Sequence, residues 1–287
     1  MFVYCTCKMQ ANLQNNIQMQ TTKQTILVTG ASSGFGLLVA NGLHKKGYHV
    51  IGTSRNPERY AAKFPFKLIA LDLDSEQSIT TFSERLFREI SQLDILVNNA
   101  GFLVSGIAEE TPIELGRQQF ETNFWGTIKV TNALLPYFRK QKFGKIITVG
   151  SIVGLVSFPN AAYYAASKHA LEGYFKALRY ELNEFNISVA MIEPSAFKTS
   201  IMDNSSAPIQ KIQDYNSLRG KIEKFTNELV KSAEDPILVA DKVLKVVQTD
   251  KPKFRNIVGK GTSVLINLQH VAYGILEKNV LKQLNKA

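Results

Sequence analysis

Eight residues, Thr29-Gly30-Ala31-Ser32-Ser33-Gly34-Phe35-Gly36, constrain this chain more than any other feature. They follow Thr25-Ile26-Leu27-Val28, an apolar run that favours a strand. They open a segment with apolar residues at Leu37, Leu38, Ala40 and Leu43, ending near Gly47, where a helix C-cap is expected. The order is strand, glycine-rich turn, helix. Gly30, Gly34 and Gly36 permit a tight turn and close approach of a pyrophosphate, which the helix N-terminus holds through free N–H groups and its dipole. Ser32, Ser33 and Phe35 belong to the same binding turn. A glycine motif carries weight only with a strand before it and a helix after it. Both are present here.

The remaining pattern repeats that unit. Strands are expected near 25–29, 48–53, 67–71, 94–97, 145–149, 187–192 and 253–257, and helices near 35–46, 75–91, 117–141, 161–184 and 237–249. Such alternation implies an α/β fold, a single Rossmann-type doubly wound parallel sheet with helices on both faces. Ligands in these sheets sit beyond the strand C-terminal ends, where strand order reverses. Thr29-Gly30, Asn98-Asn99, Ser151 and Pro194 all follow apolar strand runs. Distant motifs therefore converge on one sheet edge.

A second constellation supplies chemistry. Tyr164 and Lys168 stand at i and i+4 on one expected helix face, with Ser151 thirteen residues before the tyrosine. A free tyrosine has a pKa of about 10, remote from neutral pH. A neighbouring ammonium favours the phenolate and is expected to lower that value. Tyr163 lies off the lysine's face. Alone, a Tyr-x-x-x-Lys spacing is common on ordinary half-buried helices; its context gives it meaning.

Together these motifs resemble a classical short-chain dehydrogenase/reductase over roughly Thr25 to Gly259. The spacing matches that family's Thr-Gly-x-x-x-Gly-x-Gly. Asn98-Asn99-Ala100-Gly101 matches its Asn-Asn-Ala-Gly. Asn123, Ser151, Tyr164 and Lys168 match its catalytic tetrad. The resemblance implies an oxidoreductase interconverting an alcohol and a carbonyl on a lipophilic small molecule. Tyr164 is then the general acid/base, Ser151 touches the substrate, Lys168 also holds the nicotinamide ribose, and Asn123 keeps a relay water. Asp72 and Leu73 lie near the adenine, and Asn99, Ala100, Gly101, Pro194, Phe197 and Thr199 border the cofactor. The family's usual Pro-Gly-x-x-x-Thr reads Pro194-Ser195-Ala196-Phe197-Lys198-Thr199 here, so a local difference is expected in that loop. Phe254-Arg255 and the tail loosely resemble the hydroxysteroid- and retinol-dehydrogenase-like branch. Strand two ends in Ser54-Arg55 with no acid before Glu58. An arginine suits a 2′-phosphate and a carboxylate a free 2′-hydroxyl, so NADP(H) is expected in preference to NAD(H). The rival reading is a catalytically silent dinucleotide-binding sensor or scaffold, which has no need of all four tetrad residues.

Residues 1–20 read as a disordered polar lead without the features of a signal peptide. Residues 21–260 form the catalytic domain, with a substrate lid at about 195–230. Residues 261–287 form a C-terminal amphipathic tail whose apolar stripe is expected to pack on the domain or a neighbouring subunit; a membrane surface is the lesser alternative. Net charge is +10, with 15 basic against 9 acidic residues from Ser195 onward. No basic stripe with interleaved aromatics points to nucleic acid. Both cysteines, Cys5 and Cys7, lie in the lead, which excludes a cysteine nucleophile in the body. The four histidines lack ligand spacing, so no metal is expected. A cytoplasmic homo-oligomer is the expected form.

Overall fold

The structure, a computed structural model, describes residues 23–60, 62–198 and 211–286. Its strands are β1 Thr25–Val28, β2 His49–Ser54, β3 Lys67–Ala70, β4 Ile95–Asn98, β5 Gly144–Val149, β6 Ile187–Pro194 and β7 Arg255–Val258. All neighbours pair in parallel, in the order β3-β2-β1-β4-β5-β6-β7. The doubly wound sheet expected from the alternation is present. Strand order reverses at the β1–β4 pair, which sets the ligand crevice there.

The helices are α1 Gly34–Lys45, α2 Glu76–Thr80, α3 Phe82–Glu89, α4 Ile113–Phe120, α5 Thr127–Gln141, α6 Ala162–Leu182, α7 Asn216–Lys231, α8 Ile237–Gln248, α9 Thr262–Val271 and α10 Tyr273–Lys286. Side chains alternate across each strand. Leu27, Leu96, Ile146 and Val189 meet Phe82, Leu86, Leu134, Phe138 and Phe175 on one face. Ile26, Val97, Ile147 and Ala190 meet Val39, Leu43, Val239 and Val243 on the other. Burial on both faces explains why the strands read as unbroken apolar runs.

Three departures from the expected elements matter. The helix expected over 75–91 divides at Thr81 into α2 and α3. The one expected over 117–141 contains a π-helical turn at Glu121–Gly126, between α4 and α5. Such turns are rare and frequent at functional sites. The tail is two helices, because Ala272 leaves helical angles with φ −146°. Among the described residues no helix is long and apolar enough to cross a membrane. The lead and residues 199–210 of the expected lid lie outside the described residues; α7 accounts for most of the lid's remainder.

Candidate active site

At the C-terminal edge of β1 the chain turns through Gly30 (φ +65°) and Gly34 (φ +53°), left-handed angles that favour glycine. Gly36 answers a different need: a Cβ there would stand 2.2 Å from the Gly30 carbonyl oxygen and 2.4 Å from Asn99 Nδ2. Ser33 caps α1 without a side-chain hydrogen bond, and the helix's first turn carries no acid. Its opening N–H groups and positive dipole end therefore face the turn with no competing acceptor. Below the turn, Thr29 Oγ1 accepts from the N–H groups of Asn99 (2.9 Å) and Ala100 (3.1 Å). Asn99 Nδ2 donates to the carbonyls of Thr29 (2.9 Å) and Gly30 (3.3 Å). Asn99 thus braces the turn.

A cleft of about 650 Å³ opens there. It is lined by Gly30, Ser32, Ser33, Gly34 and Phe35, by Ser54 and Arg55, by Asp72 and Leu73, and by Asn99, Ala100 and Gly101. These twelve motif positions, distant in sequence, meet in one cleft. Asn56, Arg59 and Tyr60 also line it. Sequence reasoning missed them because they lie in or just before a short 3₁₀ turn, Pro57–Tyr60, with no periodic signal. Arg59 places a second guanidinium at the end where Arg55 was expected to act alone. A glycine-lined cradle, a helix N-terminus and two arginines fit a phosphorylated dinucleotide. Another cavity, about 660 Å³, lies among Lys23, His44, His49 and Lys67, near the opposite strand ends, and contains no motif residue.

Ser151 follows β5 and caps a 3₁₀ turn, its Oγ accepting from Val153 N at 3.3 Å. Tyr164 and Lys168 lie on the first half of α6. The Lys168 ammonium is 5.7 Å from the Tyr164 ring centroid and donates to the Val149 carbonyl at 3.0 Å. Asn123 is buried in the π-turn; its Oδ1 accepts from Phe102 N (3.0 Å) and its Nδ2 donates to Phe102 O (2.9 Å). It clamps the segment that follows Gly101. Tyr163 packs on α4: a Cβ at Gly116 would stand 2.5 Å from its ring.

The electrostatics correct one expectation. Tyr164 is pushed up to about 12, first by burial; the Ser151 hydroxyl acts the other way, and the Glu193 carboxylate adds to the rise. Burial lowers Lys168 to about 8, against a smaller opposing pull from Glu193. The expected lowering of the tyrosine by the lysine is absent because the ammonium is turned onto a main-chain carbonyl and is itself penalised by burial. At neutral pH the Tyr164 phenol keeps its proton.

Glu193, the residue before Pro194, was not singled out in the sequence. It is fully buried, and its Oε2 accepts from Ser151 N at 3.1 Å. Its signal was an acid inside an apolar strand, Val189-Ala190-Met191-Ile192-Glu193. Pro194 closes β6 opposite Val258. Ser195 needs no left-handed angle; Gly259, at φ +117°, makes room for its hydroxyl. Replacement of the family's glycine is absorbed by a glycine just after β7. Phe197 is buried edge-to-face against Phe35 at 5.9 Å, supporting the glycine turn from behind. Thr199 lies outside the described residues.

Beyond Ser151 the surroundings become apolar. Ile152, Leu155 and Val156 pack with Ile266 and Leu276 of the two tail helices. Ile107, Ile222, Phe225 and Leu284 join α7 to α10. The α7 region is tied down by Glu110, which accepts from Ile212 N at 2.7 Å and pairs with Arg219. That guanidinium holds the Glu110 carboxyl below the usual range.

Residues 24–210 match the model of the short chain dehydrogenase family. Among curated proteins, an uncharacterized oxidoreductase, YusZ, of Bacillus subtilis is 39% identical over 259 residues, covering 85% of this chain and 92% of that one. A 3-ketodihydrosphingosine reductase of Bacteroides thetaiotaomicron is 34% identical over 252 residues, covering 84% and 90%. Among solved structures, a short-chain dehydrogenase from Streptomyces avermitilis superposes with a TM-score of 0.78 at 29% identity, covering 94% of this chain and 99% of that one.

Proposed function

The chain belongs to the short-chain dehydrogenase/reductase family of oxidoreductases, and we propose that it reduces a keto group on a long-chain, lipophilic small molecule with NADPH. The observation that carries this reading is the grouping of Ser151, Tyr164 and Lys168 beside a glycine-lined cleft that ends in Arg55 and Arg59. A nicotinamide dinucleotide, when bound, supplies the hydride. The opening N–H groups of α1 and the turn from Gly30 to Gly36 would hold its pyrophosphate, and the two arginines its 2′-phosphate.

The chain's own residues do the rest. Ser151 donates its hydroxyl hydrogen to the carbonyl oxygen and fixes it. Tyr164, protonated at neutral pH, gives its phenolic proton to that oxygen as negative charge develops there. Lys168, held on the Val149 carbonyl, would bind the nicotinamide ribose, and solvent returns the proton to Tyr164. The apolar cluster of Ile152, Leu155, Ile266 and Leu276 that follows Ser151 supports a substrate with a hydrocarbon chain. The similar Bacteroides protein is named for reduction of a ketone on such a chain.

The test follows nicotinamide absorbance with 3-ketodihydrosphingosine and a series of shorter ketones, using NADPH and NADH. Tyr164→Phe should bind NADPH normally and lose at least about a hundredfold in turnover; Tyr163→Phe should stay close to wild type. An active Tyr164→Phe overturns the assignment. Tight cofactor binding with no turnover on any carbonyl favours a sensor.

A further inference from the structure

The face of α6 that carries Tyr164 and Lys168 continues, four residues on, to Glu172. Glu172 is 7% exposed and receives the Arg255 guanidinium from β7, Nε donating to its Oε1 at 2.9 Å. Glu193 stands within the same group, 0% exposed at the end of β6. Its Oε2 takes the Ser151 N–H, and its Oε1 is buried with no hydrogen-bond partner among the described residues. The chain makes deliberate room for it: a Cβ at Gly150 would stand 2.7 Å from Glu193 Oε2. Without a glycine at 150 the carboxyl could not reach the peptide that carries Ser151.

We propose that Glu193 is a positioning residue of this site, its carboxyl group fixing Ser151 through the main chain and setting the charge against which Tyr164 releases its proton. The inference rests on the reading of Tyr164 as proton donor. An ionised carboxylate at full burial with one oxygen unpaired is costly. Burial, and then the neighbouring Glu172, push Glu193 up to about 8, while Arg255, Lys168 and the Ser151 N–H pull the other way. Near neutral pH the group is therefore an uncharged acid. In that state it holds Ser151 without opposing a phenolate on Tyr164. Above about pH 8 it ionises. The new negative charge raises the cost of phenolate formation. Carbonyl reduction should slow accordingly, beyond any change from Lys168. Glu193 passes no proton to product: the one proton that the reduction consumes comes from Tyr164 and is returned to it by solvent.

The experiment uses the full chain, Glu193→Gln and Glu193→Leu. Infrared difference spectra between about pH 6 and about pH 10 report a protonated carboxyl independently of turnover. The wild type should lose a buried protonated-carboxyl band across that range, and Glu193→Gln should lack the band. With NADPH and 3-ketodihydrosphingosine, Glu193→Leu should lower kcat roughly tenfold to a hundredfold, the cost of an orphaned Ser151 N–H, with little change in KM or NADPH affinity. Glu193→Gln keeps an acceptor for that N–H; it should recover most of kcat and flatten the basic limb of the pH profile. A band that persists in Glu193→Gln, or wild-type kcat and pH profile in Glu193→Leu, overturns the inference. If Tyr164→Phe is active while the band follows Glu193, the reading of Tyr164 fails and the buried neutral acid stands.

Discussion

Three glycines carry separable costs that can be worked from the geometry. At Gly36 an added methyl would meet the Gly30 carbonyl oxygen at 2.2 Å and Asn99 Nδ2 at 2.4 Å. Relief requires the turn to move by about 1 Å, and a displacement of that size in a positioned group costs on the order of a hundredfold. Overpacking of this kind also costs about 1–3 kcal/mol of stability. Gly34→Ala meets nothing within 4 Å, so its cost is the left-handed backbone at φ +53°, about 1–2 kcal/mol. Gly173 lies exposed within α6 with nothing within 4 Å. There an alanine should stabilise the chain by about 0.5–1 kcal/mol. Thermal unfolding and NADPH titration by fluorescence read both quantities; each kcal/mol shifts Tm by about 2–4 °C in a chain of this size. The expected order of stability is Gly173→Ala, wild type, then the two turn variants, with affinity lost most at Gly36. Wild-type NADPH affinity in Gly36→Ala would refute the bracing of the turn by Asn99.

Arg55→Ala should weaken NADPH by roughly tenfold to a hundredfold and NADH little, since a charge-assisted bond is worth about 1.5–3 kcal/mol. Arg59→Ala should add to it; equal losses for both cofactors in titrations would remove the phosphate assignment. Stability should depend on pH in two opposed windows. Glu193 keeps a proton that the unfolded chain has released between about 4.5 and about 8, so its contribution falls as pH rises through that window. Lys168 lacks a proton that the unfolded chain holds between about 8 and 10.5, so its contribution rises there. Denaturant melts across pH should show the falling slope vanish in Glu193→Gln. A chain ending at Lys260 should lose the packing of Ile266, Leu276 and Leu284, each buried side chain worth about 1.5–3 kcal/mol. It should aggregate or bind substrate weakly while retaining NADPH; unchanged melting and kinetics would make the tail helices dispensable.

The central strands were legible because they are buried on both faces and read as apolar runs between turn residues, whereas the edge strands β3 and β7 are only partly buried and were placed by the alternation with helices. The glycine turn was legible because left-handed angles and close approaches leave few choices of side chain. What escaped the sequence depends on three-dimensional proximity. Arg59 reaches the cleft from a short turn. Glu193 reads as an anomaly in a strand until Gly150 and Ser151 are seen beside it. The π-turn around Asn123 has helical periodicity on both sides, so one long helix was the simplest reading. The behaviour of Tyr164 was mistaken for a related reason: helix spacing places Lys168 on its face but cannot tell that the ammonium turns to Val149.

The sheet's strand order has a consequence for how the protein is made. β1 emerges first, pairs β2 soon after, and must keep its other edge open until Ile95, Leu96 and Val97 arrive to meet Ile26, Leu27 and Val28. Closing so long a loop is slow, and an unpaired apolar strand is exposed to aggregation meanwhile. The helices α9 and α10, which pack on Ile152, Leu155 and Val156, leave the ribosome after all seven strands. A nascent chain thus completes its glycine-lined cradle well before the apolar cluster beyond Ser151. A metabolite that binds the cradle can stabilise that early half by mass action, so cellular dinucleotide supply can act on the yield of folded protein before it acts on turnover.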